Sequence, residues 1–239
     1  MVSGKCRLCG KRGLLCNSHI IPEFVYVPAY DHKHKLHVLN LSSGIKQYKI
    51  QKGTKERMLC QVCETFLNEK YEKSFCEFWF TNGRLPNPFP KGIYWVKNID
   101  YVAFKLFHLS VLFRAHFSKE GMFKDIYLGA RHVSRLRELI ISGNPGSSNE
   151  FPIIATVALD DARAPRYDLV LSPVNLRSGA HRFACFIFGA CSWICRVSKH
   201  PDPRGDKYIL REDGSMPLIG MHLKNTHGFK DFYREFLKY

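Results

Sequence analysis

The residues whose spacing carries the clearest chemistry are four cysteines. Cys6-Arg7-Leu8-Cys9 stands near the start of the chain, and Cys60-Gln61-Val62-Cys63 lies well downstream. A Cys-x-x-Cys pair bends the backbone so that both sulfurs face one point. Two such pairs supply the four thiolates of a closed tetrahedral zinc site. One pair alone would serve equally well as a redox dithiol, and the plain alternative for all four is a set of unmetallated buried thiols. The expected ligand set is Cys6, Cys9, Cys60 and Cys63, with zinc in a structural role.

The elements that must position these residues follow from the pattern. Gly10-Lys11-Arg12-Gly13 makes a basic turn after the first pair, and Leu14 to Ile21 reads as a short strand carrying His19. Pro22 stops regular pairing. Lys35 to Leu41 alternates with period two, Ser42-Ser43-Gly44 is turn chemistry, and Ile45 to Ile50 alternates again, which predicts a β-hairpin. His32 and His34 fall in a basic turn better explained by solvation than by metal. From Cys63 the chain reads as a helix fading near Phe80. Glu64, Asn68 and Glu72 line one of its faces, and Phe66, Leu67, Tyr71 and Phe75 form an apolar side.

Pro86-Asn87-Pro88-Phe89-Pro90-Lys91-Gly92 is the densest cluster of breakers and is taken as a boundary between residues 1–85 and 93–239. The second part reads as α+β with an antiparallel sheet. It has a buried helix over Tyr101 to Phe117, a second helix over Val133 to Ile141 ended by Gly143-Asn144-Pro145-Gly146, and strands near 151–159, 168–174, 183–189 and 191–198. A C-terminal helix follows from Phe229 to Leu237. The run Phe183 to Phe188 predicts a strand covered on both faces. Cys185, Cys191 and Cys195 lie inside apolar strands and read as small buried hydrophobes, and His108, His116 and His181 read as structural.

Composition narrows the class. The chain of 239 residues is 45% hydrophobic and 13% aromatic, as expected of a folded protein. No apolar run approaches the roughly 18–20 residues that span a bilayer, and no charged-then-apolar leader opens the chain. Nine cysteines, four of them in zinc spacing, suit a reducing compartment, so the expected location is cytoplasmic. The formal net charge of +15, with cations in excess in both halves, points to a polyanionic partner, most commonly nucleic acid. An acidic lipid surface fits less well, because no amphipathic basic helix stands out. A basic face that serves only solubility is the alternative.

Cys6-x-x-Cys9, Ser18-His19-Ile20-Ile21-Pro22 and Leu59-Cys60-x-x-Cys63 together resemble the HNH branch of the His-Me finger endonucleases, over about the first 80 residues. The resemblance implies an N-terminal zinc-stapled ββα unit of treble-clef form. It implies His19 as the general base that takes a proton from water attacking a phosphodiester, and Mg²⁺ or Mn²⁺ as the catalytic cation. It also implies DNA as substrate, and such proteins occur among phage-defence effectors. Three positions depart from the pattern. Ser18 stands where the residue before the base is usually Asp or His, Lys55 stands near the expected middle Asn, and Glu64 replaces the His expected after the second pair. A re-plumbed cation site of Glu64 with Asn68 is the resulting expectation. Glu64 could instead be a helix N-terminal acid favoured by the macrodipole, and His19 an oriented structural histidine. The competing functions are a non-catalytic zinc module that binds nucleic acid and a subunit that docks a partner protein.

Overall fold

The structure is a computed structural model. It describes residues 2–30, 35–40, 46–51, 53–197, 200, 202 and 205–222, with the strands at 35–40 and 46–51 as backbone. The expected C-terminal helix at 229–237, the turn at 42–44, and His32 and His34 lie outside the described residues.

The chain begins with β1 (Val2–Lys5) and β2 (Arg12–His19), paired antiparallel around the first Cys-x-x-Cys turn. The strand expected over 14–21 therefore starts earlier and ends at His19. Ile20 and Ile21 turn fully inward, and Pro22 opens a 3-10 turn over Glu23–Val25. The expected hairpin forms as β3 (Lys35–Asn40) with β4 (Lys46–Gln51), a separate two-stranded ribbon. Strand β5 (Lys55–Cys60) then returns to the far edge of β2. Its register skips Met58, whose carbonyl instead accepts the Arg7 N–H at 2.8 Å.

β5 runs straight into a helical rod: α1 (Gln61–Leu67), a π turn over Asn68–Glu72, α2 (Lys73–Cys76) and a second π turn over Glu77–Thr81. The buried residues explain the π turns. Cys63, Leu67, Tyr71, Phe75 and Trp79 are all buried, at a constant spacing of four. An unbroken α-helix of 3.6 residues per turn would rotate such a series by about 40° per step. The wider π turns cancel that drift and keep all five on one face.

After β6 (Ile93–Val96), Asp100 caps α3 (Tyr101–Phe117) by accepting the Ala103 N–H at 3.0 Å. Every residue of α3 from Ala103 to Ala115 is buried, so the helix is enclosed all round. The amphipathic α4 (Ala130–Ser142) buries Val133, Leu136, Leu139 and Ile140, and stops at Gly143, whose φ of 70° is left-handed.

Strands β7 (Ile153–Leu159), β8 (Leu171–Ser178), β9 (His181–Phe188), β10 (Cys191–Arg196) and β11 (Met216–His222) join β6 in one sheet, ordered β6-β11-β7-β10-β9-β8. The expectation of an antiparallel sheet needs correcting: it is mixed. β7 to β10 form antiparallel pairs, but β11 lies parallel to β7. The chain crosses over after β10 instead of turning back in a hairpin, so β11 arrives between β6 and β7. As expected, β9 is covered on both faces, and the structure shows the same of β10. Ala184, Phe186 and Phe188 join the main core, whereas Cys185, Ile187 and Ile194 pack with Ile154 and Ile209 on the other side.

The main core is continuous across the Pro-rich connection and takes residues from both 1–85 and 93–239. At its centre Phe75 stacks on Phe107 with centroids 3.9 Å apart, and Trp79 donates its indole N–H to the Gly189 carbonyl at 2.8 Å. His108 is also enclosed there. Its Nδ1–H donates to the Phe104 carbonyl at 2.8 Å, while Nε2 has no partner. Burial pushes its pKa down to about 3. The unfolded chain binds this proton near pH 6.5 and the folded chain does not, so stability is lost as pH falls from about 6.5 towards 3. Stability measured by urea unfolding is expected to fall by about 1.4 kcal/mol per pH unit from this one group. His108→Phe is expected to flatten that limb, and an unchanged slope would show that other groups govern it.

Candidate metal centre and the adjoining histidine

The four cysteines converge as their spacing requires. Between β1 and β2 the chain closes a tight turn, with Gly10 N–H on the Cys6 carbonyl at 3.0 Å and Cys6 N–H on the Lys11 carbonyl at 2.9 Å. Gly10 adopts φ of 77°, a left-handed conformation that glycine meets without a side-chain clash. Cys60 is the N-cap of α1, and Cys63 sits in its first turn. All four sulfurs lie within 4.8 Å of one another, and Cys9 Sγ is 3.8 Å from Cys60 Sγ. Zn–S bonds of about 2.3 Å in a tetrahedron place sulfurs about 3.8 Å apart, the separation of Cys9 and Cys60, so the cluster could hold a metal such as zinc.

Its electrostatics suit a cation. Burial pushes the Cys6 thiol up, but the backbone N–H groups of Cys60, Cys9 and Leu8 outweigh it and bring the thiol down to about 7. Cys63 is pushed the other way by burial and by the sulfurs of Cys60 and Cys9. Sulfurs this close cannot all carry charge unless a cation shares it.

His19 ends β2, opposite Lys55 on β5. Its backbone carbonyl accepts Arg114 Nη1 at 2.9 Å from the middle of the core. Its ring Nε2 meets a carboxylate oxygen of Glu23, which the 3-10 turn folds back four residues on. The other Glu23 oxygen accepts the Tyr30 hydroxyl at 2.5 Å. The side chain of His19 keeps 19% exposure. Burial and then Lys55 lower its pKa, with Glu23 opposing, so the imidazole is neutral at neutral pH. With Glu23 facing Nε2, the proton of that neutral ring belongs on Nε2 and the basic lone pair on Nδ1.

The acidic residues of the rod lie elsewhere. One oxygen of Glu64 is buried without a hydrogen-bond partner. The carboxylate acts on Cys16, whose thiol is raised by burial and then by Glu64. Cys16 is three residues before His19, about 10 Å along the strand. Asn68 is exposed at the start of the first π turn. Glu72 pairs with Arg114 at 2.8 Å. The charged groups acting on His19 are Lys55, Glu23 and Arg114. The structure thus gathers the four cysteines, and it places Glu64 beside Cys16, Asn68 in solvent and Glu23 against the imidazole.

Glu23, Tyr30 and Arg114 escaped the sequence reading. Arg114 had a visible signal, since an arginine inside a helix this apolar must find an anion or carbonyl. Glu23 stood four residues after His19, but Pro22 hid the turn that joins them. No family model, curated protein or solved structure matches the chain. Among the described residues, no helix is long and apolar enough to cross a membrane.

Two outcomes follow. Protein purified without chelator is expected to carry one zinc per chain by atomic emission. Cys63→Ser is expected to lose it, with Tm lower by roughly 10 °C, or 3–5 kcal/mol at about 2–4 °C per kcal/mol for a chain this size. Full stability without metal would reduce the cluster to four packed thiols. Arg114→Met should cost about 3–5 kcal/mol, because the carboxylate of Glu72 and the carbonyl of His19 lose their partner. A loss under 1 kcal/mol in urea unfolding would show that the clamp is dispensable.

Proposed function

We propose that the chain is a metal-dependent endonuclease of HNH type acting on DNA, with β2, β5 and α1 as a zinc-stapled ββα unit. The observation that carries this reading is the neutral imidazole of His19, partly open to solvent, its Nε2 engaged by Glu23 on a strand that leaves the cysteine cluster. In this role Nδ1 takes a proton from water as the water oxygen bonds to phosphorus and the bond to the leaving sugar oxygen breaks. Glu23 fixes the ring's orientation and supports the imidazolium that forms, and Tyr30 holds Glu23. The net charge of +15 suits a polyanionic substrate.

The Mg²⁺ or Mn²⁺ implied by the resemblance would stabilise charge on the leaving oxygen. Of the ligands expected for it, Asn68 is exposed, and the charges that act on His19 are those of Lys55, Glu23 and Arg114 and not that of Glu64. That disagreement favours a second reading, a zinc-stapled module that binds nucleic acid without cutting it.

Plasmid nicking in Mg²⁺ or Mn²⁺ separates the two. On the nuclease reading, His19→Ala lowers the rate by about 10²-fold or more with zinc content unchanged. Glu23→Gln lowers it less and moves the acid limb to lower pH, since Glu23 raises the proton affinity of His19. Nicking by His19→Ala at the wild-type rate would remove His19 from the chemistry. Retained DNA affinity without cutting, with log K falling at a slope of about −0.9 per phosphate neutralised against log salt, would establish the binding module.

A further inference from the structure

A cleft of about 400 Å³ opens between the segment leading into α4 and the β8–β9 end of the large sheet, and it takes in no part of the cysteine cluster or of the His19 surroundings. Arg131 on α4 and Arg182 on β9 line it from two separate elements, and none of its lining residues is acidic. Some arginines find anions, as Arg135 holds Glu150, Arg166 holds Asp168 and Arg196 holds Asp206, and others rest on backbone carbonyls, as Arg137 and Arg163 do. Among the described residues, Arg131 and Arg182 have no ion-pair partner, although both border one concavity. Like charges brought together without a counter-charge raise the local potential and favour an anion between them.

The remainder of the wall is mixed: His132, Asn175 and His200 give it polar groups, and Tyr127, Leu128 and Val197 give it aromatic and aliphatic surface. Leu128 is buried, Val197 adds an aliphatic surface, and the Tyr127 ring stands 67% exposed at the rim. The volume lies in the range of about 300–1,000 Å³ typical of small-molecule sites and exceeds what a bare phosphate needs. The occupant therefore pairs an anionic head with a flat, partly apolar body. From these features we propose that the cleft binds a nucleoside phosphate, with phosphate on Arg131 and Arg182 and the base against Tyr127. The amino end of α4, on the same wall, adds its dipole to the phosphate site.

The test is calorimetric titration of the full chain with ATP, pyrophosphate and adenosine, in the absence of DNA and divalent cations, so that its outcome is independent of any nuclease activity. ATP is expected to bind saturably at one site per chain, and adenosine much more weakly. Arg131→Glu and Arg182→Glu, both exposed and expected to melt as the parent does, should each weaken ATP at least tenfold. Tyr127→Ala should weaken ATP while leaving pyrophosphate unchanged. No saturable binding of ATP at millimolar concentration would overturn the proposal, as would equal affinity in the double arginine variant. Binding of a short DNA duplex that is lost in the double variant, with none of ATP, would assign the cleft to a nucleic-acid backbone and overturn it too.

Discussion

A buried guanidinium organises the molecule. Arg114 lies in a helix enclosed on every side, with 1% of its side chain exposed, and an unpaired charge there would cost several kcal/mol. It is tolerated because three elements supply its partners: the Ser110 carbonyl and hydroxyl from α3 itself, the Glu72 carboxylate from the helical rod, and the His19 carbonyl from β2. Because each partner belongs to a different part of the chain, the requirement to satisfy one cation fixes how the first sheet, the rod and the central helix sit together. The Phe75–Phe107 stack then fills the space that this arrangement leaves. Hydrophobic burial supplies most of the driving force, but apolar surfaces slide, and the guanidinium sets the register.

The strand that carries His19 is consequently held at both ends by groups remote in sequence. At its start the cysteine cluster ties the β1–β2 turn to β5 and α1, helped by the Arg7–Met58 bond. At its end Arg114 takes the last carbonyl. The following connection is secured to the same strand pair: Glu56, opposite Ser18, accepts the Ser118 hydroxyl at 2.9 Å and the Lys119 N–H at 2.8 Å. A side chain at the end of a strand commonly frays, and here the backbone beneath it cannot.

Much of this was legible in the sequence, for reasons that differ by element. The cysteine cluster was legible because metal-ligand spacing is a local code. Helix α3 and strands β7 to β10 were legible because long apolar runs bounded by glycine and proline leave few alternatives. β6 and β11 were not, since one has four residues and the other contains Pro217 and Gly220, and both form only because the sheet offers an edge. The face shared by Glu64, Asn68 and Glu72 assumed one continuous α-helix. The π turns hold this four-residue series to one side as they hold Leu67, Tyr71 and Phe75 inward, but its members stand on successive turns and meet different surroundings, Asn68 being exposed and Glu72 paired with Arg114. Residue periodicity reports which face is buried; it does not report where the helix widens to keep it so.

The surroundings of His19 bear on how an imidazole could stay a base beside a polyanion. A phosphodiester approaching a histidine raises its proton affinity, which protonates the ring and removes its capacity to accept a proton. Lys55 stands opposite His19 on the neighbouring strand and lowers that affinity, in the same direction as burial, while Glu23 raises it. With the anion and the cation of the protein in opposition, burial decides, and the ring remains neutral. Any further negative charge near the ring would act in the same direction as Glu23, and Lys55 opposes it. Lys55 thus opposes protonation of the imidazole, the effect that a neighbouring anion would reverse. The same lysine beside an imidazole that never meets an anion would only discourage protonation.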